Sequence, residues 1–115
     1  MPRIQPGEIW KVKLSDTEGH EQIGDRPAIV IALHSQAIVA MVVPLTKNQD
    51  CLRFPYSYQV KMSNVNGLKV NSVALIYQMR CLTASSTRFV DRYGIIEQCH
   101  LDQIKLLIKS YLKIS

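Results

Sequence analysis

The sequence predicts an α+β domain: a small antiparallel β-sheet or barrel followed by a C-terminal amphipathic helix. Three observations lead there. Short runs of strand-forming residues recur between residues 8 and 93, separated by turn signals. Two of these runs, Ala28–Leu33 and Ala37–Leu45, are apolar throughout, as in strands covered on both faces. The period then changes, because Leu101, Ile104, Leu107, Ile108, Tyr111 and Leu112 fall at i, i+3, i+6, i+7, i+10 and i+11, one face of a helix. Strands followed by a helix that covers them give the α+β class. A chain of 115 residues suits a single domain, residues 1–115, with one modest core.

Taken in order, Pro6-Gly7 signals a turn. Glu8–Leu14 alternates, with Trp10, Val12 and Leu14 on one face, which predicts a half-buried strand. Residues 15–27 lack periodicity and carry Gly19 and Gly24, so they read as a long loop, and such loops are commonly functional. His34–Gln36 is a tight connection between the two apolar strands. Pro44 cannot donate to a ladder and marks a bulge, an edge or a strand end. Lys47–Asp50 is a polar loop, Tyr56–Met62 alternates as a strand, Asn64–Gly67 is a turn, and Val70–Met79 is a further strand region. Thr83–Thr87 reads as a helical turn and Arg88–Tyr93 as a strand ended by Gly94. In the terminal helix Asp102 falls in the first turn and Lys109 and Lys113 near the end, all agreeing with the helix dipole, while Gln98 and Cys99 are poor N-caps.

The apolar fraction of 47% and the charged fraction of 20% are those of an ordinary globular protein. Fourteen Lys and Arg against nine Asp and Glu give a formal net charge of +5, with a pI near 9.3. On so small a domain this favours an anionic partner. No apolar run reaches the length of a membrane span, and the N-terminus lacks the apolar stretch of a signal peptide, so a cytoplasmic protein without membrane contact is expected. Cys51, Cys81 and Cys99 are odd in number and lack Cys-x-x-Cys spacing, which argues against a disulfide framework or a zinc site and for reduced, partly buried thiols. The leading candidate for chemistry is Arg26. It stands where a polar loop, His20-Glu21-Gln22-Ile23-Gly24-Asp25, gives way through Pro27 to a buried strand.

A pattern then emerges along the whole chain: Pro6-Gly7-Glu8-Ile9-Trp10, Gly19-His20-Glu21-Gln22, Arg26-Pro27-Ala28-Ile29-Val30-Ile31, Val42-Val43-Pro44-Leu45-Thr46, Ser72-Val73-Ala74-Leu75-Ile76-Tyr77-Gln78-Met79-Arg80, and the terminal helix. In this order and spacing it resembles the MazF/PemK (Kid) family of toxin endoribonucleases from type II toxin–antitoxin systems. The resemblance implies an SH3-like β-barrel, a homodimer, and sequence-specific cleavage of single-stranded RNA without a metal or other cofactor, leaving a 2′,3′-cyclic phosphate and a 5′-hydroxyl. It also implies an antitoxin that covers the RNA site. The family's catalytic Arg and Thr fall on Arg26 and Thr46, and the Gln after the second loop falls on Gln78. His20 departs from the Ser of many members, and the segment between Thr46 and Tyr56 is too variable for any transfer.

The residues suit that chemistry. Attack by a 2′-hydroxyl builds negative charge on phosphorane oxygens, which a guanidinium fork can hold at two points and a Thr hydroxyl at a third. Arginine stays protonated, so Arg26 serves as clamp or acid and is a poor base. His20 and Glu21 are the candidate general bases, and the imidazole's unperturbed pKa of about 6.5 suits the role. His20, Gln22, Lys47, Gln78 and Arg80 are the candidate RNA contacts, with Arg53 a further phosphate ligand. Each also has a plainer reading: a solvated loop residue for His20, a strand-end residue for Thr46, a satisfied core amide for Gln78, and ordinary surface charges for the cations. Trp10 reads as core rather than as a stacking platform. The alternatives of function are a CcdB-like, gyrase-inhibiting binding module and a family member that binds RNA or antitoxin without cutting. The antitoxin is expected to be acidic and partly disordered, folding on binding to complement the +5 charge.

Overall fold

The computed structural model describes residues 3–14 and 24–114. The strands are β1 (Glu8–Leu14), β2 (Gly24–His34), β3 (Val39–Thr46), β4 (Ser57–Val60), β5 (Ser72–Leu75), β6 (Arg80–Thr83) and β7 (Phe89–Ile95), followed by helix α1 (Gln98–Tyr111). Among the described residues the ladder runs β4-β5-β3-β2-β1-β7, with β6 also paired to β3, and every pairing is antiparallel. The α+β class and the terminal helix are as expected. The described ladder is not closed by hydrogen bonds between its ends, β4 and β7.

The two apolar runs form central strands because both of their faces are covered. Ala28 and Val30 of β2, with Ala40 and Val42 of β3, pack around Trp10, Val12 and Phe89. The alternate residues Ile29, Val43 and Leu45 join a second cluster with Ile96, Leu101 and Ile104, where α1 lies on the sheet. A register shift between Val30 and Ala32 switches the face of β2. Ile31 therefore packs with the second cluster and Leu33 with the first, although both are odd-numbered. Pro44 lies where β3 changes partner: β6 pairs with Val39–Val42 and β5 with Leu45 and Thr46. The residue without an N–H thus falls between two ladders.

Several boundaries differ from the expectations. β2 begins at Gly24, so Arg26 lies inside a strand, opposite Val12, rather than on a loop. A polar strand start carries no apolar signal, which is why it reads as loop. Lys47–Asp50 leads into a 3₁₀ helix at Gln49–Arg53, capped by the Asn48 side chain. Of Tyr56–Met62 only β4 is strand, and Tyr56 has φ 62°. The apolar region Val70–Met79 is broken by a 3₁₀ turn, Ile76–Gln78, so Gln78 sits on a turn rather than in a strand. Thr83 belongs to β6, and the residues after it form a turn closed by the Phe89 N–H on the Ser85 carbonyl at 2.8 Å. Gly94 lies within β7 and does not end it. Asp102 falls outside the first turn of α1, where Gln98 Nε2 donates to it at 2.8 Å. The apolar stripe of α1 is buried at Leu101 and Ile104 but exposed at Tyr111 and Leu112. The three cysteines are free, and Cys81 and Cys99 are exposed rather than partly buried.

Glu8 shares the inward face of β1 with Trp10 and is 8% exposed. Its Oε1 accepts from Trp10 Nε1 at 3.0 Å and from the Gln5 N–H at 2.7 Å, and its Oε2 accepts from Arg92 Nε at 2.7 Å. Burial pushes the Glu8 pKa up, but the bonds from Trp10, Arg92 and Gln5 outweigh it, so the carboxyl titrates below its ordinary 4.5. A depressed carboxyl contributes stability above its unfolded pKa and loses it as pH falls through the folded one. Glu8→Gln is therefore expected to cost about 1–3 kcal/mol at pH 7, the scale of an unsatisfied buried hydrogen-bonding group. Its deficit should shrink on acidification below pH 4.5. Urea melts of both proteins across that range measure it, and a deficit independent of pH contradicts the assignment.

Candidate active site

Arg26 and Thr46 reach the same end of the sheet through β2 and β3. Their ladder closes at Ala28 opposite Pro44. The same register carried two residues further sets Arg26 across from Thr46. Outward from this pair, Arg26 is opposite Val12 of β1, and Thr46 is opposite Val73 of β5. The two residues are thus held by rigid, paired strands on either side, the arrangement a preformed site needs.

Thr46 is 7% exposed. Its Oγ1 accepts the Asn48 N–H at 3.2 Å, and the Asn48 side chain in turn accepts the Asp50 N–H at 3.1 Å. These bonds tie the hydroxyl to the start of the 3₁₀ helix. Accepting uses an oxygen lone pair and leaves the hydroxyl proton to donate. Arg26 is half-buried.

Arg26 lines a cavity of about 160 Å³ together with Lys47 and Lys69. Its floor is apolar, including Leu45, Leu68 and Val70, and Asp25 is the acidic residue in its wall. Three cations against one carboxylate make the cavity a seat for an anion. A second, wider cleft of about 750 Å³ begins at Asn48 and is lined by Arg53, Phe54, Tyr56 and Tyr77. Phe54 meets Tyr77 edge-on at 6.1 Å, and the Arg53 guanidinium lies 4.9 Å from the Phe54 ring centre. Burial, and then the neighbouring Cys51 thiol group, push the Tyr77 pKa up, so it stays a neutral phenol near pH 7. Flat, partly exposed aromatic faces beside a guanidinium are the surfaces on which unpaired bases stack.

The structure therefore places Arg26 and Lys47 in one cavity, while Thr46, between Leu45 and Lys47 on β3, lies at the same end of the sheet and lines neither cavity. Arg53 lines the aromatic cleft. Gln78, on the turn next to Tyr77, and Arg80, opposite Val42 in β6, are half-buried and line neither cavity. Trp10 is a core residue, edge-on to Phe89 at 6.0 Å. Tyr58 is engaged with His100 Nδ1 at 2.7 Å. His20, Glu21 and Gln22 lie outside the described residues. Lys69 and Phe54 escaped the sequence reading: one is a single lysine after a turn, the other lies in the untransferable segment, and neither has a periodic signal. Among the described residues no group of His, Cys, Asp and Glu could hold a metal ion, and no helix is long and apolar enough to cross a membrane.

Comparison with known proteins gives a consistent picture. Residues 5–112 match the family model described as PemK-like, MazF-like toxin of type II toxin-antitoxin system. The chain is 30% identical to endoribonuclease MazF9 of Mycobacterium tuberculosis, over 95% of this chain and 96% of that protein. Its fold matches the crystal structure of MazF from Deinococcus radiodurans with a TM-score of 0.81 at 20% identity, covering 96% of this chain and 97% of the other. It also matches a mycobacterial endoribonuclease in complex with its cognate antitoxin, with a TM-score of 0.73 at 14% identity over 98% of both chains. Matched over nearly its whole length by the family model and by a relative of this similarity, the chain belongs to the PemK-like, MazF-like toxins of type II toxin–antitoxin systems.

Proposed function

We propose that the chain is a growth-inhibiting toxin that cleaves single-stranded RNA at specific sequences by attack of a 2′-hydroxyl, leaving a 2′,3′-cyclic phosphate and a 5′-hydroxyl, without a metal. The observation that carries this reading is that Arg26 and Thr46 stand at the same end of the paired strands β2 and β3, where Arg26 lines a cavity with Lys47 and Lys69. Arg26 clamps the non-bridging oxygens of the scissile phosphate and, as a permanent cation, stabilises the charge passing to the leaving 5′-oxygen, which takes its proton from water. Thr46, with its oxygen already engaged by Asn48, donates its hydroxyl proton to the developing charge. The 2′-hydroxyl proton goes to a base, for which His20 and Glu21 are the candidates. The aromatic cleft offers stacking for a flanking base.

The working unit is a homodimer, and the partner is an acidic antitoxin that folds over the RNA site. The net charge of +5 and the antitoxin complex of a fold relative support that pairing. A CcdB-like binding module would need neither Arg26 nor Thr46 at these positions.

Purified protein, incubated with EDTA and a long single-stranded RNA, is expected to cut it and leave cyclic-phosphate ends. The His20→Gln pH–rate profile then distinguishes His20 from Glu21 as the base. Intact RNA under all conditions, together with binding to a topoisomerase, would replace the nuclease reading with the CcdB-like one.

A further inference from the structure

Lys69 is the cation of the cavity that neither the candidate RNA contacts read from the sequence nor the chemistry of the scissile phosphate includes. It lies between the Asn64–Gly67 turn and β5, far in sequence from Arg26 and Lys47, yet the fold brings the three to one cavity of about 160 Å³. The position is built. The buried Asn66 side chain accepts the Ser63 and Leu68 N–H groups, both at 3.0 Å, and donates to the Lys61 carbonyl at 2.9 Å. Leu68, which follows that turn, is 6% exposed and anchored in the core cluster beneath α1. The backbone carrying Lys69 is thereby fixed between the buried Leu68 and the buried Ser72. Lys69, exposed on this fixed segment, lines the cavity with Arg26, Lys47 and the one carboxylate, Asp25, and this net positive lining favours an anion.

We propose that Lys69, together with Lys47, holds an RNA phosphate adjacent to the scissile one, making the cavity a second phosphate seat that positions the strand for Arg26. This rests on the RNA-cleaving reading above and adds to it a named subsite. Lysine acts here as a point charge on a phosphate oxygen, whereas the scissile group takes the guanidinium fork. A contact of this kind is made equally to substrate and transition state, so it governs binding and leaves the chemical step alone.

The test uses an RNA that the wild-type protein cleaves, both as such and as an uncleavable copy with 2′-O-methyl groups. Each phosphate contact on a single strand contributes about 0.7 to the slope of log K against log salt. Lys69→Gln should lower that slope, and the Lys47→Gln/Lys69→Gln pair, which strips the one phosphate of both its cations, should lower it by about 0.7. KM should rise several-fold with kcat unchanged, and Lys69→Arg should restore both. Lys105→Gln, on the exposed side of α1, should behave as wild type. A wild-type slope in Lys69→Gln overturns the proposal while cleavage by the wild type leaves the nuclease reading standing. A fall in kcat at unchanged KM overturns it as well. Unchanged RNA binding with weakened binding of an acidic peptide would make the cavity a protein contact. Wild-type protein that neither binds nor cuts RNA removes both readings.

Discussion

Arg26→Ala is expected to lower the rate of RNA cleavage by about 10²–10³-fold, the scale for removing a preorganised donor to a developing oxyanion. Arg26 lines the cavity from within β2, and its backbone is held by the ladder to β1, so an alanine there keeps the strand. Lys in its place keeps charge but loses the two-point fork, so Arg26→Lys should recover only part of the loss. Thr46→Val tests the second donor at nearly constant shape. It removes the hydroxyl proton and also the acceptor of the Asn48 N–H. Thr46→Ser should retain activity, since it keeps both. The double variant Arg26→Ala/Thr46→Val should cost less than the product of the single losses, because the two act on one charge. Single-turnover rates with end mapping, alongside far-UV circular dichroism to establish folding, measure all of these. Full activity in Arg26→Ala would remove this residue from the chemistry.

How much of this site is legible in the sequence depends on what kind of signal each residue leaves. Arg26 and Thr46 are legible because each borders a continuous apolar run, and such runs announce central strands. The structure adds that Arg26 is already inside β2, since Gly24 and Asp25 are strand residues without apolar character. The sequence puts Gln78 in a strand because Val70–Met79 is apolar enough to be one, whereas the chain turns at Ile76–Gln78. Hydrophobicity records burial and is blind to a single 3₁₀ turn inside a buried stretch. The α1 stripe was legible in period but not in extent: its first half meets the sheet, and Tyr111 and Leu112 remain exposed. The places of Lys69 and Phe54, and the tie of Asn66 to Glu97, depend on contacts between segments distant in sequence, and no local pattern encodes those.

Gly67→Ala should have the largest effect on stability, and it bears on the site because Gly67 ends the turn that presents Lys69. Gly67 has φ +72°, and a Cβ there would lie 2.0 Å from the Tyr93 carbonyl oxygen and 2.6 Å from its carbon. The obstacle is backbone on both sides, so no side chain can swing away to relieve it. Gly94 is the reciprocal position: a Cβ on it would meet the Val65 oxygen at 2.3 Å and the Asn66 carbonyl carbon at 2.7 Å. The two glycines let the Asn64–Gly67 turn lie directly on β7, where the Ile95 N–H donates to the Val65 carbonyl at 3.0 Å. The same turn is tied to the start of α1, because Ser63 Oγ donates to Glu97 at 2.6 Å and Asn66 Nδ2 donates to it at 3.1 Å. Separating turn and strand to admit a methyl group would break both connections. Left-handed strain alone costs about 1–3 kcal/mol, and the backbone overlap adds to it. A loss above about 4 kcal/mol is therefore expected for Gly67→Ala, a large share of the roughly 5–15 kcal/mol that holds such a domain together. Gly94→Ala, free of the φ term but equally blocked, should approach it. Urea denaturation of both variants checks this, and a loss below about 1 kcal/mol in either would mean that turn and strand do not meet this closely. Val65→Ala, a truncation of a 60% exposed side chain in the same turn, should stay within about 0.5 kcal/mol of wild type and serves as the control.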